Sequence, residues 1–289
     1  LQDFNNFIDE SDFNVFKTTI EKGGIVKAIV CPNGGNYSRK VIDELTVFVK
    51  EYHHAKGLAF MKCFDGKLEG GISKFFNKNL QCKIINNLKV MNDDIIFLIG
   101  DEEKITLEAL GALRLNLANR EKLIKKDWKP LWVVDFPLFD WNKEKKRWES
   151  LHHPFTSPNP DDIHLLDKSP GEIRSWGYDI VMNGYELGGG SIRIHDSDMQ
   201  AKIFELLGLS KSESTEKFGF LIDAFKYGAP PHGGMAFGLD RIVMLLVESN
   251  QIRDVIAFPK TTSAMSLMDL SPSNVDKEQL GELGIKLDK

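Results

Sequence analysis

The sequence of 289 residues predicts an α+β fold, and three observations lead to that prediction. Asn183-Gly184 joins two apolar-rich segments, and Asn-Gly is the strongest short-range signal for a two-residue β-hairpin turn. A second hairpin turn is expected at Asp65-Gly66. Apolar residues with helical spacing follow Ser38, a good helix-capping residue, and form one stripe: Val41, Leu45, Phe48, Val49 and Tyr52.

The composition is that of an ordinary soluble globular protein, with 42% hydrophobic and 27% charged residues. A net charge of −5 argues against nucleic-acid binding over the whole surface but leaves a local basic face open. No apolar run approaches the roughly 20 residues that span a bilayer, and no signal peptide opens the chain. The three cysteines form no C-x-x-C pair, which favours a reducing compartment. We therefore expect a cytoplasmic protein without a membrane partner.

Two domains, residues 1–125 and 126–289, are expected from the length and from a change in sequence texture. The first domain contains no group of residues typical of catalysis, and we interpret it as a binding or spacer module. Its strands are expected at 24–31, 57–64, 67–72 and 94–99, and its helices at 38–54 and 102–119. The lysine-rich stretch 120–129 is interpreted as a solvated connection, with nucleic-acid contact as the alternative.

The second domain is richer in Trp and Phe. Its expected elements are a buried strand at 131–139, helices at 196–207, 215–225 and 240–248, and a strand at 235–239.

The stretch from Ser175 to Asp196 contains the first candidate site. The turn at Asn183-Gly184 is expected to pair Met182 with Tyr185, Val181 with Glu186, and Asp179 with Gly188. Since side chains alternate along a strand, Asp179 and Glu186 then share one face with Val181 and Gly188. Diagonal neighbours of this kind have Cβ atoms about 7 to 8 Å apart. Such a pair suits Mg²⁺, which one or two carboxylates usually hold together with substrate phosphates and water.

Three glycines, residues 188–190, follow these acids. A glycine run weakens a strand unless another group must approach the backbone closely or the strand must bulge. Strict alternation puts Glu186 and Arg193 on opposite faces, and one bulge within the glycines brings Arg193 beside the acids. The guanidinium would then suit a carboxylate or phosphate. An ordinary hairpin with exposed charges is the alternative.

A second candidate site lies at Gly238-Leu239-Asp240-Arg241, where a strand is expected to turn directly into a helix. The free N–H groups and the dipole at a helix start favour anions such as phosphates. Arg241 adds a fork that holds phosphate or stacks on a flat ring. A G-x-x-R pattern at a helix start is weak support by itself.

Together, the motifs of the second domain resemble the C-terminal part of the class II catalytic domain of bacterial-type aspartyl-tRNA synthetases. The motifs are F-P-L-F at 136–139, H-H-P-F-T-S-P at 152–158, N-G-Y-E-L-G-G-G-S-I-R-I-H at 183–195, K-Y-G-A-P-P-H-G-G-M-A-F-G-L-D-R at 226–241 and R-D-V-I-A-F-P-K at 253–260. The run 234–241 is similar to motif 3 of the class, with Ala236 in place of its middle glycine and Asp240 where other members often carry Glu. Five such motifs in one order are far more specific than any single pattern.

The first domain resembles, more diffusely, the GAD insertion domain that bacterial aspartyl-tRNA synthetases share with tRNA-dependent amidotransferases. This likeness rests on residues 23–30 and 57–76.

The resemblance implies an antiparallel class II synthetase sheet flanked by helices and a two-step ligase. ATP and L-aspartate give aspartyl-adenylate and pyrophosphate, and the aspartyl group then passes to tRNA. It also implies roles for single residues: Arg193 and His152 bind aspartate with support from His153, Asp179 and Glu186 hold Mg²⁺, and Glu186 with Gly238, Leu239, Asp240 and Arg241 binds ATP. Arg241 and Glu186 are the expected catalytic residues.

In the family, motif 1 with its dimer interface, motif 2 and the anticodon-binding barrel precede the insertion domain. None of these is in the sequence, which also begins without Met, so we interpret it as a fragment that does not activate aspartate alone. The complete protein is expected to be a homodimer. A non-catalytic fragment that binds tRNA or another partner is the alternative function, and the sequence leaves open whether asparagine tRNA is also charged.

Overall fold

A computed structural model describes residues 1–287 of the chain. The chain divides into two compact units, Leu1–Lys126 and Asp127–Lys289. Each unit combines helices with an antiparallel sheet, which confirms the predicted α+β class. Among the described residues, no helix has both the length and the apolar character needed to cross a bilayer.

Unit 1 is built on a five-stranded sheet with the strand order β1-β2-β5-β3-β4. Its elements are β1 (Gln2–Asp3), α1 (Asn5–Asp9), α2 (Asn14–Glu21), β2 (Ile25–Cys31), α3 (Arg39–Glu51), β3 (Ala59–Phe64), β4 (Lys67–Glu69), α4 (Lys78–Leu88), β5 (Ile95–Asp101) and α5 (Glu103–Arg120). Apolar side chains cover both faces of the sheet. Ile96 and Leu98 of β5 belong to one core, and Ile95, Phe97 and Ile99 belong to the other.

Local signals placed most of these elements. Ser38 caps α3 by accepting a hydrogen bond from the Val41 N–H, as predicted. Asp65 and Gly66 have positive φ angles of 46° and 71° and form the expected turn between β3 and β4. The sequence did not predict β1, α1, α2 or α4, although Asn77 gives α4 a local signal: it caps the helix by accepting a hydrogen bond from the Leu80 N–H.

Unit 2 contains a four-stranded antiparallel sheet with the order β11-β10-β9-β6 and a separate hairpin of β7 and β8. The elements are β6 (Pro130–Val134), β7 (Phe139–Asn142), β8 (Arg147–Ser150), β9 (Gly177–Met182), β10 (Tyr185–Ile192), α6 (Ser197–Leu206), α7 (Lys211–Phe225), β11 (Gly233–Phe237), α8 (Leu239–Leu246) and α9 (Lys277–Glu282). The β9–β10 hairpin turns at Asn183 and Gly184, whose φ angles of 52° and 86° are those of the predicted type I′ turn.

The register of this hairpin corrects one prediction. Met182 pairs with Tyr185 and Val181 with Glu186, as expected, but Asp179 pairs with Gly189 and not with Gly188. A bulge lies between Glu186 and Gly188, so the extra residue is Leu187. Leu187 packs with Ile180, Met182 and α8, which explains why the bulge lies here: the strand gains a core side chain at the cost of one ladder position.

Two further predictions for unit 2 were wrong in detail. The segment 131–139 was expected to be a buried strand, but only Pro130–Val134 forms β6, and Trp132 is 57% exposed. This strand lies at the edge of the described sheet. Helix α7 begins before Thr215, because Ser210 and Glu213 form a reciprocal capping box at its start.

Candidate active site

A cavity of about 490 Å³ lies on the sheet of unit 2. It is lined by residues from β9, β10, β11 and the start of α8, by residues of the segment 152–156, and by Phe136. Seven residues with a predicted binding role are in its wall: His152, His153, Asp179, Glu186, Arg193, Gly238 and Arg241. The predicted convergence of these side chains on one cavity is therefore observed.

The two acids face each other across the β9–β10 pair. Glu186 lies opposite Val181, two residues from Asp179, which is the predicted diagonal. Burial raises the pKa of Asp179, the nearby Glu186 carboxylate raises it further, and His152 opposes the rise. Two carboxylates that repel each other in a half-buried wall form a site that a cation would stabilise.

The three glycines allow this close packing. A Cβ atom on Gly189 would collide with the Asp179 carboxylate, and one on Gly190 would collide with the backbone of Gly234 in β11. The predicted reason for the glycine run, close approach by other groups, is confirmed. The bulge does not lie within the run, but it still brings Arg193 to the face of the acids, because any single insertion after Glu186 reverses the alternation.

Arg193 contacts His153. Its Nη1 donates a hydrogen bond to Nδ1 of His153 at 2.9 Å, and the Phe155 N–H donates to the same nitrogen at 3.2 Å. Because a main-chain N–H and a guanidinium only donate, Nδ1 is the accepting nitrogen, and the neutral ring has its proton on Nε2, which lies 3.4 Å from the same Nη1. Burial and then the Arg193 charge lower the pKa of His153, in agreement with this neutral form.

The histidine loop, residues 152–157, is fixed to the chain that continues β10. Thr156 and Arg193 form a β-bridge, flanked by hydrogen bonds from Ser157 N–H to the Ile192 carbonyl and from Ile194 N–H to the Phe155 carbonyl. Phe136 packs edge-on against the His152 ring with centroids 4.7 Å apart. Main-chain pairing therefore holds the loop that carries both histidines against the segment that contains Arg193.

Arg241, the second arginine of the cavity, contacts Glu186. Nη1 of Arg241 donates to the Glu186 carbonyl at 2.8 Å and lies 3.6 Å from its carboxylate. Gly238, the residue that precedes α8, donates its N–H to the Leu187 carbonyl at 2.7 Å. The bulge residue thus fixes the start of α8, and with it Arg241, against the acidic wall.

Leu239 and Asp240 were also expected at the ATP site. Among the residues that the structure describes, neither lines the cavity, and Leu239 is 70% exposed. Their roles stay predictions. Sequence reasoning did not single out several other lining residues, notably Phe136, Thr156, Tyr178, Ser191 and Phe237.

A cavity whose wall contains both arginines and carboxylates can bind a ligand that carries both a carboxylate and metal-bound phosphates. The family description "tRNA synthetases class II (D, K and N)" matches residues 36–262. The chain belongs to this family. The class II match spans most of the chain and includes every cavity residue named above.

Curated relatives of this class II synthetase chain are aspartate–tRNA ligases by name. The aspartate–tRNA(Asp/Asn) ligase of Caldanaerobacter subterraneus subsp. tengcongensis is 46% identical over 100% of this chain and 49% of its own length. That of Persephonella marina is 50% identical over 99% and 49%. The aspartate–tRNA ligase of Staphylococcus carnosus is 47% identical over 99% and 49%. The chain thus spans about half the length of the curated relatives it matches.

Among solved structures, the aspartyl tRNA synthetase from Entamoeba histolytica aligns with 54% of this chain and 27% of its own chain, at 24% identity and a TM-score of 0.38.

Proposed function

We propose that the protein containing this chain is an aspartate–tRNA ligase. It would activate L-aspartate with ATP to aspartyl-adenylate and transfer the aspartyl group to tRNA. The observation that carries the proposal is the convergence of Arg193, Asp179 and Glu186 on one cavity in a class II synthetase chain. The names of the relatives, aspartate–tRNA ligases, support the choice of amino acid.

Arg193 would bind the side-chain carboxylate of aspartate. Its guanidinium offers five donors, and the contact with His153 uses the Nη1 group. Neutral His153 would orient the guanidinium without adding a second positive charge, and His152 would form the neighbouring wall of the aspartate pocket. The alternative substrate asparagine has no carboxylate to pair with Arg193, so the charge favours aspartate.

ATP would lie along Glu186, Gly238, Leu239, Asp240 and Arg241. Arg241 is held by the Glu186 carbonyl and is about half exposed, so its remaining donors are available for a phosphate or the adenine ring. Attack of the aspartate carboxylate at the α-phosphorus needs positioning and charge neutralisation, not a protein nucleophile. Arg241 and Glu186 would supply part of both.

Asp179 and Glu186 fit Mg²⁺ by their chemistry. They are hard oxygen ligands on adjacent strands. Burial and then repulsion from Glu186 raise the pKa of Asp179, and a bound cation would relieve that repulsion. When bound, Mg²⁺ would neutralise the phosphates of ATP. The protein's own part would be to hold both carboxylates in the cavity wall.

The remaining assignments belong to the same proposal. Residues 1–125 would be the GAD insertion domain and 126–289 the C-terminal part of the catalytic domain. The complete protein would be a cytoplasmic homodimer that binds tRNA. This chain alone would not activate aspartate, because the part of the site that motif 2 is expected to form is not in it. Losing a single donor to the transition state already costs about 10²- to 10³-fold in rate.

The test is aspartate-dependent exchange of pyrophosphate into ATP by the complete protein. Arg193→Lys, which removes the bidentate fork, should lower kcat/KM for aspartate by about 10²-fold. The matched control is Arg39→Lys in unit 1, where the side chain is 91% exposed. Exchange stimulated by another amino acid and not by aspartate, or wild-type-like exchange by these 289 residues alone, would contradict the proposal.

A further inference from the structure

Helix α6 holds the histidine loop through a buried glutamine. Gln200 is 1% exposed, and its Nε2 donates a hydrogen bond to the Pro154 carbonyl at 3.0 Å. The direction of this bond is unambiguous, because a carbonyl only accepts and only the amide nitrogen donates. Gln200 does not line the cavity, so its effect on a ligand there would be indirect.

The Pro154 carbonyl lies between residues 155–157, which are held by main-chain pairing, and the two histidines. Residues 155–157 pair with the chain after β10 through main-chain hydrogen bonds. Pro154 has no N–H, so its carbonyl is the only main-chain group through which it can hydrogen-bond. Gln200 uses that carbonyl, and the next residues toward the N-terminus are His153 and His152 of the cavity wall.

The same face of α6 contacts the loop again one helical turn later. Phe204, four residues after Gln200, packs edge-on against Phe155 with centroids 5.9 Å apart. Phe155 also contacts Phe218 of α7 at 5.2 Å. The aromatic contacts hold Phe155 in place. The hydrogen bond from Gln200 holds the preceding residue, Pro154, which is next to His153.

The glutamine is a poor choice for stability alone. Its Oε1 is buried and has no hydrogen-bond partner among the described residues. A buried acceptor without a partner destabilises the folded state, and an apolar side chain of the same shape would remove that cost. A buried group left without a partner, in a side chain that holds a loop of the cavity wall, points to a role in function.

We propose that Gln200 is a positioning residue for aspartate binding: it holds the Pro154 carbonyl so that His153 stays in contact with Arg193. The inference rests on the proposed function of the cavity. It assigns to α6 the orientation of the amino-acid side of the site, with no direct contact to ATP.

The experiment compares wild type with Gln200→Met in the complete protein by pyrophosphate exchange. Met keeps the length of the side chain and removes both the donor and the unpartnered acceptor. KM for aspartate should rise by about tenfold or more, below the 10²-fold that a 1 Å misplacement can cost. KM for ATP should change less than about threefold, and Tm by no more than about 4 °C.

Gln81→Met is the matched control. Gln81 lies in α4 of unit 1, and its amide accepts from the Leu68 N–H and donates to the Ser73 and Phe76 carbonyls. Because its hydrogen-bonding groups are used, this variant should lower Tm more than Gln200→Met and leave both KM values unchanged.

A second readout needs no activity. In the 289-residue chain at constant pH, the imidazole NMR signals of His153 should shift in Gln200→Met, while those of exposed His54 in unit 1 should not. Unchanged His153 signals, equal changes in both KM values, or unfolding of the variant would each overturn the positioning role. If wild type shows no aspartate-dependent exchange, the proposed function fails, and the His153 signals still decide the role of Gln200.

Discussion

At the scale of single residues, the cavity depends on charges that are fixed before any ligand binds. Arg193 contacts a neutral histidine, and Arg241 is held by a main-chain carbonyl. The Glu186 carboxylate, 3.6 Å from Nη1 of Arg241, offsets part of that positive charge, and the remaining donors of both guanidinium groups stay available to anions. The acids lie on β9 and β10, in the wall of the same cavity. Substrate carboxylate and phosphates would thus meet prearranged donors, which lowers the cost of ordering on binding.

The neutral state of His153 predicts a pH dependence of stability. Its pKa is lowered in the folded chain from an ordinary value of about 6.5 in the unfolded chain. The unfolded state therefore binds more protons in acid, and the stability that His153 contributes is present above about pH 6.5 and lost as pH falls through its folded pKa. Denaturant unfolding of wild type and His153→Gln between pH 8 and 5 should show a stability difference that shrinks in acid. A difference independent of pH would contradict the neutral state.

Replacing Asp179 separates stability from metal binding. Asp179→Asn removes a carboxylate whose ionisation is opposed by burial and by Glu186, so Tm at pH 7 should rise by a few degrees, since about 1 kcal/mol corresponds to roughly 2–4 °C here. Binding of Mn²⁺, a spectroscopic substitute for Mg²⁺, should weaken at least tenfold, as loss of one hard ligand would produce. Titration by electron paramagnetic resonance measures the affinity. A lower Tm with unchanged Mn²⁺ binding would contradict the proposed site.

At the scale of elements, the β9–β10 hairpin shows what sequence reasoning can reach. The type I′ turn follows from Asn183 and Gly184 alone, since both must adopt positive φ angles, and the first two pairs follow from the turn. The position of the bulge does not follow, because it depends on a core contact between Leu187 and α8, which is distant in sequence. Convergence of the acids with Arg193 was predicted correctly because any single bulge after Glu186 achieves it.

Predictions for other parts of unit 2 were wrong or incomplete, each for a physical reason. The apolar letters of β6 indicated burial, but the pattern does not tell which strand lies at a sheet edge. The predicted start of α7 at Thr215 is too late, because the Ser210–Glu213 capping box, a local signal, starts the helix at Lys211. The lining residue Ser191 was missed because a buried serine in a glycine-rich strand has no pattern of its own.

Gly189 of β10 leaves the space that the Asp179 carboxylate of β9 occupies, so it affects the proposed metal site. In Gly189→Ala the new methyl group would meet the Asp179 carboxylate and displace it from the cavity wall. We expect Mn²⁺ affinity to fall at least tenfold, as for loss of a ligand. Gly111→Ala in α5, where a Cβ meets nothing within 4 Å, is the control and should stabilise by about 0.5–1 kcal/mol without affecting the metal. Unchanged metal binding in Gly189→Ala would show that Asp179 is not a ligand.

At the scale of the whole molecule, the two units differ in how they are stabilised. Unit 1 has two large cores, one on each face of its sheet. The cores of unit 2 are smaller, and several large apolar side chains of that unit are exposed: Trp132, Phe220, Tyr227 and Phe237. Heat should therefore unfold unit 2 before unit 1.

Residues 1–126 should fold when produced alone, since both cores of unit 1 lie within them. We expect a single cooperative transition in circular dichroism, with a free energy of unfolding of about 5–15 kcal/mol, as is typical of a domain. In the full chain the same transition should appear as the later of two. A non-cooperative melt of the isolated unit would contradict its independence.

Strand β5 of unit 1 is expected to be the last strand of that unit to open during unfolding. It is the central strand of the sheet, hydrogen-bonded to β2 on one side and β3 on the other, and its residues Ile95–Ile99 are buried from both faces. Its amide protons can reach solvent only when the sheet opens on both sides. In deuterium they should be the last of unit 1 to exchange, at the rate of global opening, which makes this strand a probe of the stability of the entire unit.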